Sequence, residues 1–206
     1  IDSFARIDAA RGDVSLTYFE FSTLAALDCF ARRHVDVIVL EVGLGGRLDA
    51  VNAIDPAVAV VTAIGLDHCE WLGPDEQSIG REKAGIFRMD RPAVFGNRRM
   101  PESIAAVAAG VGARLQRLGT DFDFVERPDG WDYVSAGSTR LDLPLPRVGG
   151  EIAAADFHRH AATHQLLRAQ SRARLVRQAD NLGVQARGVG DVRVEGFLGT
   201  DLLLID

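Results

Sequence analysis

Two short runs in the chain are apolar at nearly every position: Val35 to Leu40 (VDVIVL) and Ala57 to Ala63 (AVAVVTA), both dominated by β-branched residues. Such runs predict strands covered on both faces, as in a parallel sheet. Around them the spacing is helical. Ser15 to Arg33 places Phe19, Leu24, Ala26, Leu27 and Phe30 on one face, and Thr17 with Glu20 three residues on fits a capping box. Pro74 to Phe87 opens with proline and acidic residues, which suit a helix N-terminus, and carries Glu82 and Lys83. Pro92 to Phe95 predicts a third strand, Pro101 to Leu115 an alanine-rich helix, and Phe122 to Val125 with Trp131 to Val134 a hairpin before the turn-rich Leu143-Pro144-Leu145-Pro146. Strand and helix alternate from about residue 15 to 120. The fold class expected is therefore α/β, a mostly parallel sheet with helices on both faces and ligands at the carboxyl ends of the strands.

Beyond Gly150 the texture changes. Phe157 to Asn181 carries Arg159, Arg168, Arg172, Arg174 and Arg177 and reads as a basic helix, more simply a solvated face than a surface for lipid or RNA. Leu202 to Ile205 reads as a buried strand. The first residue is Ile1 rather than Met, and the chain stops on that strand, so both ends are expected to be cut. No internal repeat or low-complexity linker interrupts it.

Composition narrows the class. With 206 residues, 47% hydrophobic and 25% charged, the chain has enough apolar material for one sizeable core or two small ones, which excludes disorder. The formal charge of −6, with basic residues scattered through the first half, gives no face built to neutralise a nucleic-acid backbone. No nucleic-acid or membrane partner is expected. Apolar runs such as Ala57 to Leu66 fall well short of the ~20 residues a spanning helix needs. Cys29 and Cys69 follow no paired metal spacing and suit a reducing cytoplasm, and no signal peptide precedes them.

The chemistry should sit where the strands end. Glu41 closes the first strand, where a buried carboxylate needs a cation or donors, and His68 follows the next, so the two are expected together at neighbouring strand ends. A Glu and a His are more often structural, and if they hold a metal, spacing leaves zinc or manganese open, because imidazole is a soft partner for magnesium. The loop Gly43-Leu44-Gly45-Gly46-Arg47 would let backbone approach a phosphate, with Arg47 as a clamp, or would serve simply as a turn. It is not G-x-G-x-x-G, and no G-x-x-x-x-G-K-[ST] occurs anywhere in the chain. By default Lys83 is a surface lysine, Trp71 and Phe87 are core, and Thr17 and Glu20 are capping residues.

Four stretches go further: SLTYFEF at 15 to 21, LEVGLGGRLDAVN at 40 to 52, GLDHCEWLG at 65 to 73 and SIGREKAGIF at 78 to 87. Together, in order and correctly spaced, they resemble the folylpolyglutamate and dihydrofolate synthases of the Mur ligase superfamily. The resemblance covers about residues 1 to 150 and implies part of the central domain, with 151 to 206 a divergent end of it. It implies an enzyme that uses ATP to phosphorylate the carboxylate of dihydropteroate or a folate and lets L-glutamate displace the phosphate, forming an amide. It also implies Mg2+ held by Glu41 and His68, and a carbamylated Lys83 beside it. Substrate contacts carry over to Thr17, Tyr18, Phe19 and Glu20 and to Leu48, Asp49 and Ala50, with a monomeric, cytoplasmic protein expected.

The departures are equally specific. The family's P-loop, its serine magnesium ligand and the first pterin loop would precede Ile1, and its C-terminal glutamate-side domain would follow Asp206. Val51 stands where the family usually has threonine. The nucleotide contacts expected near His160-Ala161-Ala162-Thr163 and Glu195-Gly196-Phe197 are changed, and Asp206 alone matches an aspartate that opens a family ATP-site motif. The alternatives are a catalytically inactive remnant, a sibling Mur ligase with another substrate, or a zinc hydrolase built on Glu41 and His68.

Overall fold

The computed structural model describes residues 1–35, 37–144 and 201–205. The basic stretch 157–181, Leu145 and Pro146, the two altered nucleotide segments and Asp206 lie outside these residues. The chain opens with α1 (Asp2–Arg11), an element for which the periodicity gives no signal. Its only buried residue is Ile7, so there is no apolar stripe to read. Instead α1 is tied to α2 (Tyr18–Arg33) by stacking of Phe4 on Phe21, ring centroids 5.7 Å apart, and by Arg6, which donates to the buried carboxylate of Asp28. Arg32 donates to the same carboxylate at 3.0 Å. The hydrogen bond from Arg6, helped by Ser3 and Arg32 and opposed by burial, brings the Asp28 pKa down to about 2.

Helix α2 begins as its sequence predicts. Thr17 accepts from the Glu20 N–H while the Glu20 carboxylate accepts from the Thr17 N–H, so two otherwise orphaned donors are satisfied at once. The strands β1 (Ile38–Glu41), β2 (Val58–Val61), β3 (Pro92–Phe95) and β4 (Arg114–Arg117) follow, with α3 (Cys69–Leu72), α4 (Glu76–Lys83) and α5 (Glu102–Val111) between them. Helix α5 stops earlier than Leu115 because Gly112 adopts the left-handed conformation (φ 73°) and Leu115 belongs to β4. Among the described residues this sheet runs β1-β8-β2-β3-β4, where β8 (Asp201–Ile205) is antiparallel to both neighbours and the other pairings are parallel. The α/β class holds, with one antiparallel strand in the middle.

The continuous apolar run of β2 reflects two cores. Ala59 and Val61 join Leu27 of α2, Ile104 and Ala108 of α5 and the Ala84–Ile86 turn after α4, whereas Val58 and Val60 join Phe122, Trp131 and Tyr133. That second cluster belongs to a separate antiparallel sheet, β5 (Phe122–Arg127), β6 (Gly130–Ser135) and β7 (Ser138–Pro144). The hairpin was legible; β7, which takes in Leu143 and Pro144, replaces the turn expected there. Helices thus pack against one face of β2 and β3, and strands against the other. Strand β1 departs from the two-faced expectation, since Val39 is 42% exposed.

Candidate functional site

A groove of about 320 Å³ runs between the start of α2, the loop after β1 and the short helix α3. Thr17, Phe19, Glu20, Leu48, Asp49 and Ala50, six of the seven expected substrate contacts, line it. Tyr18 does not; it is 90% exposed on the outer surface of the helix start. Leu44, Gly45, Gly46, Trp71, Leu72 and Glu82 complete the lining. Leu44, Gly45 and Gly46 belong to the loop expected to approach a ligand, and Phe87 is buried as expected, whereas Leu72 and Glu82 carry no signal for this role and Trp71, expected in the core, is 72% exposed. The reason is geometric: α3 has four residues, too few for periodicity to define an inside and an outside.

The loop from Val42 to Asp49 is built around one carboxylate. Asp49 Oδ2 accepts from the N–H groups of Gly43 (3.0 Å) and Leu44 (3.1 Å), and Oδ1 accepts from Val51 N–H (3.0 Å), capping a single 3₁₀ turn at Ala50–Ala53. The glycines are required by contact. A Cβ at Gly46 would lie 2.8 Å from the Lys83 carbonyl oxygen, one at Gly43 would lie 2.7 Å from Phe19 Cζ, and one at Gly45 (φ 72°) would lie 2.8 Å from Leu72 Cδ2. The loop is therefore pressed against α2, α3 and α4 at once.

Arg47 fastens it further, and in a different way from the ligand clamp the sequence suggests. Its Nε donates to both Glu82 carboxylate oxygens at 3.1 Å, and its backbone N–H donates to the Glu82 carbonyl at 2.9 Å. Asn52 Nδ2 donates to the Arg47 and Gly85 carbonyls, closing the same joint. The three carboxylates of the groove are thus engaged: Asp49 by backbone, Glu82 by Arg47, and Glu20 by Thr17, whose backbone and hydroxyl hold its pKa below the usual carboxylate range.

The metal-ligand candidates are arranged differently from expectation. Glu41 ends β1 and is only half-buried, and His68 lies seven residues past β2, exposed, in left-handed conformation (φ 49°) at the start of α3. Their strands are not neighbours, because β8 lies between them with Leu202 opposite Glu41 and Asp201 opposite Val61. Two strand spacings separate the strand ends by about 10 Å. His68 Nε2 is 3.7 Å from Asp67 Oδ2, and no group of three or more His, Cys, Asp or Glu able to hold a metal occurs among the described residues. The residues described do not by themselves fit a magnesium shell, which needs about six oxygens at close range. Lys83, the last residue of α4, is half-buried beside the loop joint.

No protein-family model matches the chain. It is 56% identical over 146 residues to the dihydrofolate synthase/folylpolyglutamate synthase of Escherichia coli strain K12, a match covering 71% of this chain and 35% of that protein. Among solved structures it resembles E. coli FolC in complex with DHPP and ADP (53% identity, TM-score 0.75, 79% of this chain and 38% of that one). It also resembles a bifunctional folylpolyglutamate synthase/dihydrofolate synthase from Yersinia pestis complexed with AMPPNP and Mn ion (47% identity, TM-score 0.74, 91% of this chain and 43% of that one). The chain spans about a third of the length of the curated relatives it matches. No helix among the described residues is long and apolar enough to cross a membrane.

Proposed function

Because this chain is a relative of the dihydrofolate synthase/folylpolyglutamate synthases across 146 of its residues, we propose that it is part of an ATP-dependent amide ligase that joins L-glutamate to the activated carboxylate of dihydropteroate or a folate. The observation that carries this reading is the groove, where two sequence-distant segments, Thr17 to Glu20 and Leu48 to Ala50, form one surface. A similar structure holds DHPP and ADP, and another holds AMPPNP and Mn ion. On this reading residues 1–150 belong to the central domain and 151–206 to its divergent end. The protein works in the cytoplasm as a monomer.

Each residue then has a task. Thr17, Phe19, Glu20, Leu48, Asp49 and Ala50 serve the pterin-bearing substrate, Tyr18 lying outside the groove they line, and Asp206 serves ATP. Glu41 and His68 contribute to a magnesium site only together with donors outside the described residues, among them the ATP phosphates. The phosphate loop must likewise come from elsewhere, because the chain contains no P-loop motif. What the described residues supply is position: phosphoryl transfer depends mostly on alignment and charge neutralisation. Arg47 and Glu82 join the substrate turn to the helix end that bears Lys83, so the carboxylate to be activated and the proposed carbamate keep a fixed separation.

The test is ADP release by the full-length parent that requires both dihydropteroate and L-glutamate. Release only with a UDP-linked muropeptide would assign the protein to a sibling ligase instead. Lys83→Ala in the same protein should lower turnover by about 100-fold or more, in line with loss of a group acting on the reacting phosphate, with partial recovery on adding short-chain carboxylic acids. Undiminished turnover in that variant would remove the carbamate from the mechanism.

A further inference from the structure

Trp71 carries one of the largest apolar surfaces in the chain and yet is 72% exposed, although burial of such a ring is normally worth more than that of most side chains. Its position is fixed by what surrounds it. Helix α3 is one turn long, opened by His68 in left-handed conformation and closed by Gly73 at φ 108°, and the adjacent Leu72 is buried against Gly45. The indole N–H already donates to Glu70 Oε1 at 3.0 Å, so the part of the side chain left to offer is the ring. Phe19, the other aromatic of the groove, is held against Gly43.

The charge of the groove says which end of a substrate belongs there. Among the described residues its lining includes no lysine, arginine or histidine, and its carboxylates are engaged by Thr17, by the Gly43 and Leu44 amides and by Arg47. An anionic glutamate tail finds no partner in such a surface, whereas a flat, uncharged aromatic ring finds two aromatic side chains and the apolar Leu44, Leu48 and Ala50. Resting on the function proposed above, we infer that Trp71 is a specificity-determining residue that lies against the flat aryl portion of the pterin-bearing substrate and, with Phe19, directs its carboxylate out of the groove.

The experiment uses the full-length parent protein and dihydropteroate as the probe, following both ADP release and tryptophan fluorescence. Dihydropteroate should quench the emission of the wild-type protein, and the quench should be lost in Trp71→Phe, which keeps a ring but removes the indole. Trp71→Phe should retain KM for dihydropteroate within about threefold, whereas Trp71→Ala should raise it about tenfold, the loss of one aromatic contact. The effect should fall mainly on KM rather than kcat and leave KM for ATP and L-glutamate unchanged. Because the side chain is exposed, the thermal midpoint should not move. An equal quench in wild type and Trp71→Phe, with wild-type KM in Trp71→Ala and normal ADP release, would overturn the inference while leaving the proposed function intact. Failure of the wild-type protein to release ADP with dihydropteroate and L-glutamate would overturn the function, and the inference with it.

Discussion

At the scale of single residues, two of the groove's three carboxylates, Glu20 and Asp49, are held by groups nearby in the chain, and only Glu82 is held from far along it, by Arg47. Asp49 could be named as a substrate contact through resemblance, while its acceptance of three backbone N–H groups within one glycine-rich loop follows from the turn it makes there; residues whose partners come from another element are harder to read. Asp28 is the clearest such case. It lies on α2 as one more helical aspartate, and only α1, itself invisible to periodicity, reveals that Arg6 reaches it. Its side chain is 3% exposed, so replacing the carboxylate with an amide removes the charge that Arg6 and Arg32 share and sets an amide NH2 group against a guanidinium. Asp28→Asn should cost about 1–3 kcal/mol of stability at neutral pH, read by denaturant melts. The sign of the pH dependence follows from the lowered value. A folded pKa of about 2 against an ordinary 3.8 means that the contribution is fully present above about pH 4 and is lost as pH falls toward 2. The variant should therefore lose that part of the acid sensitivity; an unchanged acid limb would show that the pair contributes nothing.

At the scale of elements, what was legible is what depends on neighbouring residues alone. The Thr17–Glu20 box, the strand Pro92–Phe95 and the hairpin were all readable because capping spacing, β-branched runs and turn residues act locally. The end of α5 is also encoded, in Gly112, although Ala113 and Leu115 prolong the apolar pattern beyond it. Helix α4 shows why boundaries matter to the site. Asp75 accepts from the Ser78 N–H at 2.7 Å while Ser78 Oγ accepts from the Asp75 N–H, and this box starts the eight-residue helix whose last turn holds Glu82 and Lys83. Hydrogen bonds from Ser78 keep the Asp75 pKa below its ordinary value. So short a helix has little stability of its own. Asp75→Ala should cost about 1 kcal/mol, and amide exchange should rise in α4 before it rises in β2 and β3. Uniform exchange across both would mean that α4 is held by packing and not by its cap.

At the scale of the molecule, the sheet separates what the sequence placed side by side. Reading Glu41 and His68 as neighbours assumed that strands consecutive in sequence pair in space, a reasonable rule for alternating strands and helices. Strand β8, about 140 residues beyond β2 in the chain, occupies the place between them, and no pattern near Glu41 or His68 signals such a long-range insertion. The consequence is measurable. Two donors, half-buried Glu41 at the end of β1 and exposed His68 in the loop that leads from β2 into α3, give a divalent ion too few direct bonds to replace its hydration shell. Manganese titrated into the 206-residue chain, followed by the relaxation of water protons, should therefore show binding no tighter than the order of millimolar. In the full-length parent the same titration with a non-hydrolysable ATP analogue should bind at least about tenfold tighter, and His68→Ala should remove most of that gain. A tight manganese site in the short chain that is lost in Glu41→Gln would mean that the loop after β2 brings His68 to Glu41 despite the strand between them.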